Sequence, residues 1–361
     1  MKAQCELNGF KDIKVLEEGE STTVGNFLVR LIPPLNITGL EFGEDLSENK
    51  LCIDAGYRLD NLDTLLSMIF LADNSLYNES AFETYHHLLD SPDLIAFAYS
   101  GFASDYPFNY NFSFKETIRI CNENENKRFL LQSKILKKIR PKYILPYSSE
   151  YIPVGSHSSF WMNCYPEIWT SDKDFVAKKY ATEVGCDAGA LYPDEELIFE
   201  LRNPQPVIKT FDRSAIIRKM IDYRQKFQSL EDSVTLPEAD ISFGNLVPQA
   251  AENYFSKQVS LGLAPRFDFH IYCNEKFLFG IRNDTRKLQS SEFDSMNLIK
   301  IKTDAITLIK LLSGALHWDD ACLSLRLKWV RVPNLFDIDS YNSLHYLRVI
   351  PAKPTPPLRV S

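Results

Sequence analysis

The sequence predicts a layered α/β fold, and three observations carry that prediction. Short β-like runs alternate with amphipathic helices through the first 150 residues. The run DLIAFAY at residues 93–99 is apolar after its first residue and is bounded by Pro92 and Gly101. That is the pattern of a strand buried on both faces. A long amphipathic helix then leads from it to a second apolar run.

In chain order, strands are predicted at residues 27–32 (FLVRLI), 51–53 and 67–72. Residues 79–89 have helical spacing, with Phe82, Tyr85, Leu88 and Leu89 on one side. The long helix spans residues 115–139, with an apolar stripe through Ile118, Phe129, Leu130, Ile135, Leu136 and Ile139. Its basic end, Lys137, Lys138 and Arg140, suits the negative pole of a helix, and Pro141 stops it. A strand starts at residues 143–145, and a loop-rich stretch covers 147–169. A helix at 173–184 and a strand at 196–201 come next.

Arg202-Asn-Pro-Gln-Pro206 reads as a linker, because Pro and Asn break both periods. Helices are predicted beyond it at residues 213–228 and 246–260. Strands at 266–272 and 276–281 are joined by a hairpin turn at Asn274-Glu275. A strand and helix cover 298–312, and an alternating strand carries Arg326, Lys328 and Arg331. The expected division is residues 1–205, an α+β domain at 206–350, and a proline-rich tail at 351–361.

Composition narrows the function. The 361 residues are 45% hydrophobic and 24% charged, typical of a globular protein. A formal charge of -8 argues against nucleic acid or an anionic membrane surface as the main partner. No run reaches the roughly 18 apolar residues of a membrane span. The seven cysteines lack CxxC spacing and are odd in number, so reduced thiols in a cytoplasmic protein are expected. Walker, GxGxxG, GxSxG and HExxH patterns do not occur.

Two segments carry a family resemblance. The first runs from DLIAFAY through a Tyr-Pro step and a Lys-rich helix to Arg-Pro-Lys and ILPY. The second is LLSGALHWDDACLSLRLKWVRVPNLFDIDSYNSLHYLRV. Together they resemble the second half of the metallo-β-lactamase-fold domain, and the C-terminal region, of CMP-N-acetylneuraminate hydroxylase and its bacterial relatives. The resemblance implies an α/β (α+β) architecture: a partial or degenerate αββα sandwich, then a smaller α+β domain. The run ITLIKLLSGALHW followed by a strand resembles the end of sterol-carrier-protein-2-like domains, which implies a ligand carrier with an apolar tunnel.

In that family an aspartate at a strand end bridges two metals held by a His-x-His-x-Asp-His loop and further histidines. Asp73, in IFLADNSLYN, is its counterpart here. The histidine loop is missing: the six histidines are His86, His87, His157, His270, His317 and His345. None precedes Asp73, and the chain starts about halfway through the expected domain. Cys-x-His and Cys-x-x-His, needed for a Rieske cluster, are missing too. One carboxylate does not hold zinc or iron without imidazole or thiolate neighbours. In this chain alone Asp73 therefore reads as a strand-terminating turn residue.

The expected cofactor is none in this chain alone, with zinc or iron only if a partner supplies the histidines. The expected partners are a second chain or self-association, with a small-molecule ligand in view. Tyr99, Ser100, Tyr106, Pro107 and Tyr147 are candidate pocket residues, since the loop leaves a strand end where such folds place ligands; the alternative is a loop that plugs the core edge with aromatic rings. His86-His87 reads as a half-buried helix pair, because adjacent helical side chains point about 100° apart. Asp319-Asp320 reads as a helix cap or solvated edge more readily than as an acid–base pair. An intact metal-dependent hydrolase or oxygenase with a rearranged site around Asp73 is the alternative enzyme reading.

Overall fold

The computed structural model describes residues 9, 11–17, 19–33, 35, 55–72, 74, 76, 79–99, 107–147, 173–192, 195–200, 203–209, 218–219, 222–223, 226, 243–335 and 337–349. The fold is mixed α/β, as the periodicity predicts. Residues 1–101, 123–150 and 170–218 form one compact unit; residues 102–122, 151–169 and 219–361 form another.

The first unit is built on a seven-stranded sheet. Its strands are β1 (Ser21–Val24), β2 (Phe27–Ile32), β3 (Gly56–Asn61), β4 (Ser67–Phe70), β5 (Leu94–Ala98), β6 (Tyr143–Tyr147) and β7 (Asp187–Ala188), in that spatial order. The first four pair antiparallel; β4 to β7 pair parallel. All five residues of β5 are buried, as expected for a strand hydrogen-bonded on both sides and covered on both faces. The expected strand at residues 51–53 lies outside the described residues.

Three helices cover one face: α1 (Glu79–Leu89), α2 (Phe114–Ile139) and α3 (Lys173–Val184). Phe82 and Leu89 of α1, Ile135, Leu136 and Ile139 of α2, and Val176 and Tyr180 of α3 share a core with Ile69, Ile95, Phe97 and Ile144. Gln132 carries its polar end into this core. Its Nε2 donates to Ala98 O at 3.1 Å, and the Tyr180 hydroxyl donates to its Oε1. The side chain is thereby satisfied at zero exposure. Arg58 ties α1 to the sheet, donating to the carbonyls of Leu88 and Asp90 at the helix C-terminus, both at 3.1 Å.

The opposite face is apolar across five strands. The register places Leu31, Tyr57, Phe70, Ala96 and Leu145 in one row, and Val29, Leu59, Met68, Leu94 and Tyr143 in the next. Leu94, Ala96, Tyr143 and Leu145 are buried, with Leu191 and Leu197 among the side chains packed on them. The β2–β3 end is more open, and Tyr57 is 45% exposed.

Of the expected linker Arg202–Pro206, residues 203–206 lie in a strand, and Arg202 is outside the described residues. Strands β8 (Glu196–Glu200) and β9 (Asn203–Lys209) form an antiparallel hairpin, with an irregular register between Ile198 and Glu200. The two prolines sit in a two-stranded ribbon, where a missing N–H can face outward. The expected boundary after residue 205 therefore falls inside a strand.

The second unit is a five-stranded sheet flanked by helices. Its strands are β10 (Asp268–Cys273), β11 (Lys276–Arg282), β12 (Lys287–Gln289), β13 (Leu298–Thr303) and β14 (Lys328–Val332), in the spatial order β12-β11-β10-β13-β14. β10 and β11 form the predicted hairpin, with Asn274 and Glu275 both at positive φ (48 and 65°). That is the backbone of a turn whose twist matches its strands. β13 returns parallel to β10, and β14 pairs antiparallel with β13.

Among its described elements are helices α4 (Phe243–Leu261), α5 (Ala305–Ser313), α6 (Trp318–Leu323) and α7 (Ile338–Leu344). Asp304 caps α5 by accepting from Thr307 N, and Gly314 ends it in the left-handed conformation. Residues 107–112 lie along β14: Trp329 N donates to Asn109 O at 2.7 Å, and Asn111 N donates to Trp329 O at 3.1 Å. The edge of the sheet is thus covered rather than left open.

Asn74 is a buried polar residue of the first unit with both ends of its amide paired. At zero exposure, its Oδ1 accepts from Leu35 N at 2.5 Å and its Nδ2 donates to Pro33 O at 2.8 Å. Asn74→Ala leaves a buried N–H and a buried carbonyl unpaired, an expected cost of about 2–4 kcal/mol. Urea denaturation of the variant checks this; a midpoint unchanged from the parent would contradict it.

Candidate functional site

The strand end expected to carry a metal ligand is held from three directions. Leu71 N donates to Ala96 O at 3.0 Å, and Asn74 N donates back to Leu71 O at 2.7 Å, closing a turn. Ala72 takes the left-handed conformation, with φ 49°, an uncommon state for a residue with a Cβ. The Tyr147 hydroxyl donates to Ala72 O at 2.8 Å, and Tyr99 N donates to Tyr147 O at 3.2 Å. Tyr99 and Tyr147, two candidate pocket residues, therefore meet at the ends of β5 and β6.

Asp73, Ser100 and Tyr106 lie outside the described residues. Pro107 is buried in the second unit, at the start of the segment along β14. Phe108 and Tyr110 beside it are also buried, and Tyr110 stacks on Trp329 at 6.3 Å. This part of the loop packs as an aromatic edge plug.

The described residues of the first unit do not form the donor set that the resemblance implies. His86 and His87 are both exposed, not half-buried as expected, because they fall on the solvent side of α1. Their rings stand 6.1 Å apart at 88°, and His86 Nδ1 is engaged with Glu83 O at 3.0 Å. His157 lies outside the described residues.

The second unit does gather ligand-type side chains. His317, Asp319 and His345 each bring one donor atom within 4.8 Å of the others. His317 Nδ1 lies 3.4 Å from Asp319 Oδ2, and His345 Nε2 lies 3.4 Å from Asp319 Oδ1. The two imidazoles are nearly parallel, at 4.6 Å and 16°. His317 is the N-cap residue of α6, and its side chain makes no cap hydrogen bond. His345 is the C-cap residue of α7. Trp318, 2% exposed, fixes the two helices by donating Nε1–H to Leu347 O at 3.4 Å.

Burial pushes the His345 imidazole below its ordinary value, against the Asp319 carboxylate, which raises it; His317 and Arg348 lower it further. His345 is thereby biased to the neutral form, the one able to bind a cation. Asp319 and Asp320 lie in the first turn of α6, in keeping with the reading of that pair as a helix cap or solvated edge, and that reading did not bring His317 into view. Nothing in sequence spacing joins it to His345, which arrives on another helix.

A shallow depression of about 500 Å³ also opens in this unit, lined by Arg266, Asp268, Asn283, Asp284, Arg286 and Asn297 among others. Its wall is polar, unlike the apolar tunnel that the carrier resemblance implies. Elsewhere, burial pushes the Cys186 thiol up to about 11, which keeps it a protonated, unreactive group. No described helix is long and apolar enough to cross a membrane.

No family model matches the chain, and no curated protein matches it. Among solved structures, it is similar to CmlA, a diiron β-hydroxylase from Streptomyces venezuelae, and to a mutant of that β-hydroxylase. Each comparison has 14% identity and a TM-score of 0.34 over 53% of this chain. The match spans about a third of that enzyme's length, and a likeness of this size carries no argument about chemistry.

His270 gives this unit an acid-sensitive centre. It is 1% exposed under the rings of Phe277 and Phe293; Nε2 accepts from Phe293 N at 3.4 Å, and Nδ1 is buried with no partner among the described residues. Burial first, then Lys300 and Arg282, lower its pKa, against Glu292 and Asp268. A lowered histidine pKa means stability that is full above the unfolded value of about 6.5 and is lost as pH falls through the folded one. Melting temperature is therefore expected to drop between pH 7.5 and 5, and His270→Leu to shrink that drop. Differential scanning fluorimetry across this range checks it; an unchanged pH dependence in the variant would count against His270.

Proposed function

We propose that the first unit is the second half of a metallo-β-lactamase-like αββα sandwich of the CMP-sialate hydroxylase-like group. In this reading it is a cytoplasmic binding member, or a partial chain, that works with a partner. The observation that carries the reading is the five-strand apolar face formed by the Leu31–Leu145 and Val29–Tyr143 rows. All three helices of the core lie on the other side. A sheet with an apolar inner face and helices outside is one half of such a sandwich.

The other half of such a sandwich would bring the histidine loop, and zinc or iron would then sit at Asp73. The positive φ of Ala72 and the buried hydrogen bonds of Asn74, on either side of that position, support this reading. The partner that this reading requires is a polypeptide carrying His-x-His-x-Asp-His. The second unit would then serve as an accessory domain that takes a small ligand.

The test is association. Alone, the chain is expected to self-associate in light scattering and to bind a hydrophobic dye, because apolar sheet surface seeks cover. Tyr57→Lys combined with Leu59→Lys should lower both signals. A stable monomer that binds no dye would remove the partial-sandwich reading and leave a fold that closes its own core.

A further inference from the structure

We propose that His317, Asp319 and His345 bind a divalent transition ion, zinc foremost, in a site separate from the one at Asp73. Two imidazole nitrogens and one carboxylate form a donor set of borderline softness. Such a set selects zinc, ferrous iron or cobalt over magnesium or calcium, and leaves a coordination position open for water or a ligand.

The distances fit this chemistry better than they fit hydrogen bonding. Both nitrogen–oxygen separations are 3.4 Å, beyond the roughly 2.7–3.2 Å of an ordinary N–H···O bond. Metal–ligand bonds of about 2.0–2.2 Å in a tetrahedron place neighbouring donors roughly 3.3–3.5 Å apart. Each ring nitrogen stands at that edge length from one carboxylate oxygen, Oδ2 for His317 and Oδ1 for His345, so Asp319 would hold the ion through both oxygens.

The scaffold is rigid where a site needs it to be. Trp318 and Leu347 bind α6 to the segment after α7, and Ala321 N donates to His317 O at 3.1 Å. His345 is held on its inner side, with its side chain 18% exposed and its ring set edge-on to Tyr341 of α7 at 6.3 Å. His317 is the adjustable member, because its side chain is 41% exposed and makes no cap bond. The two rings stack nearly parallel, so closure on an ion requires His317 to tilt while Asp319 and His345 stay in place.

The test is zinc titration of the full chain after chelator treatment, by calorimetry at pH 7.5, with cobalt absorption as a second readout of ligand geometry. About one zinc per chain is expected, with visible cobalt bands of a low-coordinate nitrogen–oxygen site. His317→Ala and Asp319→Asn, both at half-buried positions, should each weaken binding at least about tenfold with an unchanged circular dichroism spectrum. His86→Ala with His87→Ala should leave binding intact. Absence of zinc binding, or binding insensitive to His317→Ala and Asp319→Asn, would overturn the proposal. Binding abolished by Asp73→Ala and untouched by Asp319→Asn would place the ion in the first unit and overturn it equally. Neither result bears on the association test above, so the two readings fail independently.

Discussion

Strand β5 is the constraint on which the first unit depends. Its backbone pairs with β4 and β6, and its five side chains are buried on both faces. A strand so placed has no solvent to satisfy its polar groups, so the ladder on each side must form. The ladder also continues past the strands: Leu71 N donates to Ala96 O, and Tyr99 N donates to Tyr147 O. The helix core on one side and the apolar rows on the other both take their register from β5.

The second unit solves a different problem, covering a small sheet whose connections are mostly short. The parallel return of β13 beside β10 forces a crossover, and residues 290–297 supply it with Phe293 over His270 at 4.5 Å. Gly280 makes that approach feasible: a Cβ there would stand 2.6 Å from the Phe293 ring. The same economy appears in α6 and α7, two short helices that could not persist alone. Trp318, Leu344 and Leu347 are buried between them and their surroundings, and that packing brings His317 and His345 face to face.

While Arg58 and Asp60 pair half-buried on β3, some charged pairs of the first unit, such as Lys138 with Glu79 and Glu83, lie on helix faces open to solvent. Such pairs add little stability and mark a solvated surface. In the second unit the perturbed groups include two imidazoles, His270 and His345, each lowered chiefly by burial. Burial of a titratable ring next to a carboxylate is a feature of sites more than of cores.

The sequence alone determined the elements whose pattern is local. Periodicity located α1 and α3 residue for residue and β2 at its observed ends, and the chemistry of Asn274-Glu275 located the hairpin turn. Short edge strands such as β1 and β7 were not legible, because two to four residues carry no period. The strand at Asn203–Lys209 was not legible because proline breaks helices and central strands, yet a two-stranded ribbon tolerates it. The histidines could be counted in the sequence but not paired. Which two meet across Asp319 depends on how α6 and α7 are held by Trp318 and Leu347, contacts between segments distant in the chain, and only the tertiary structure decides those.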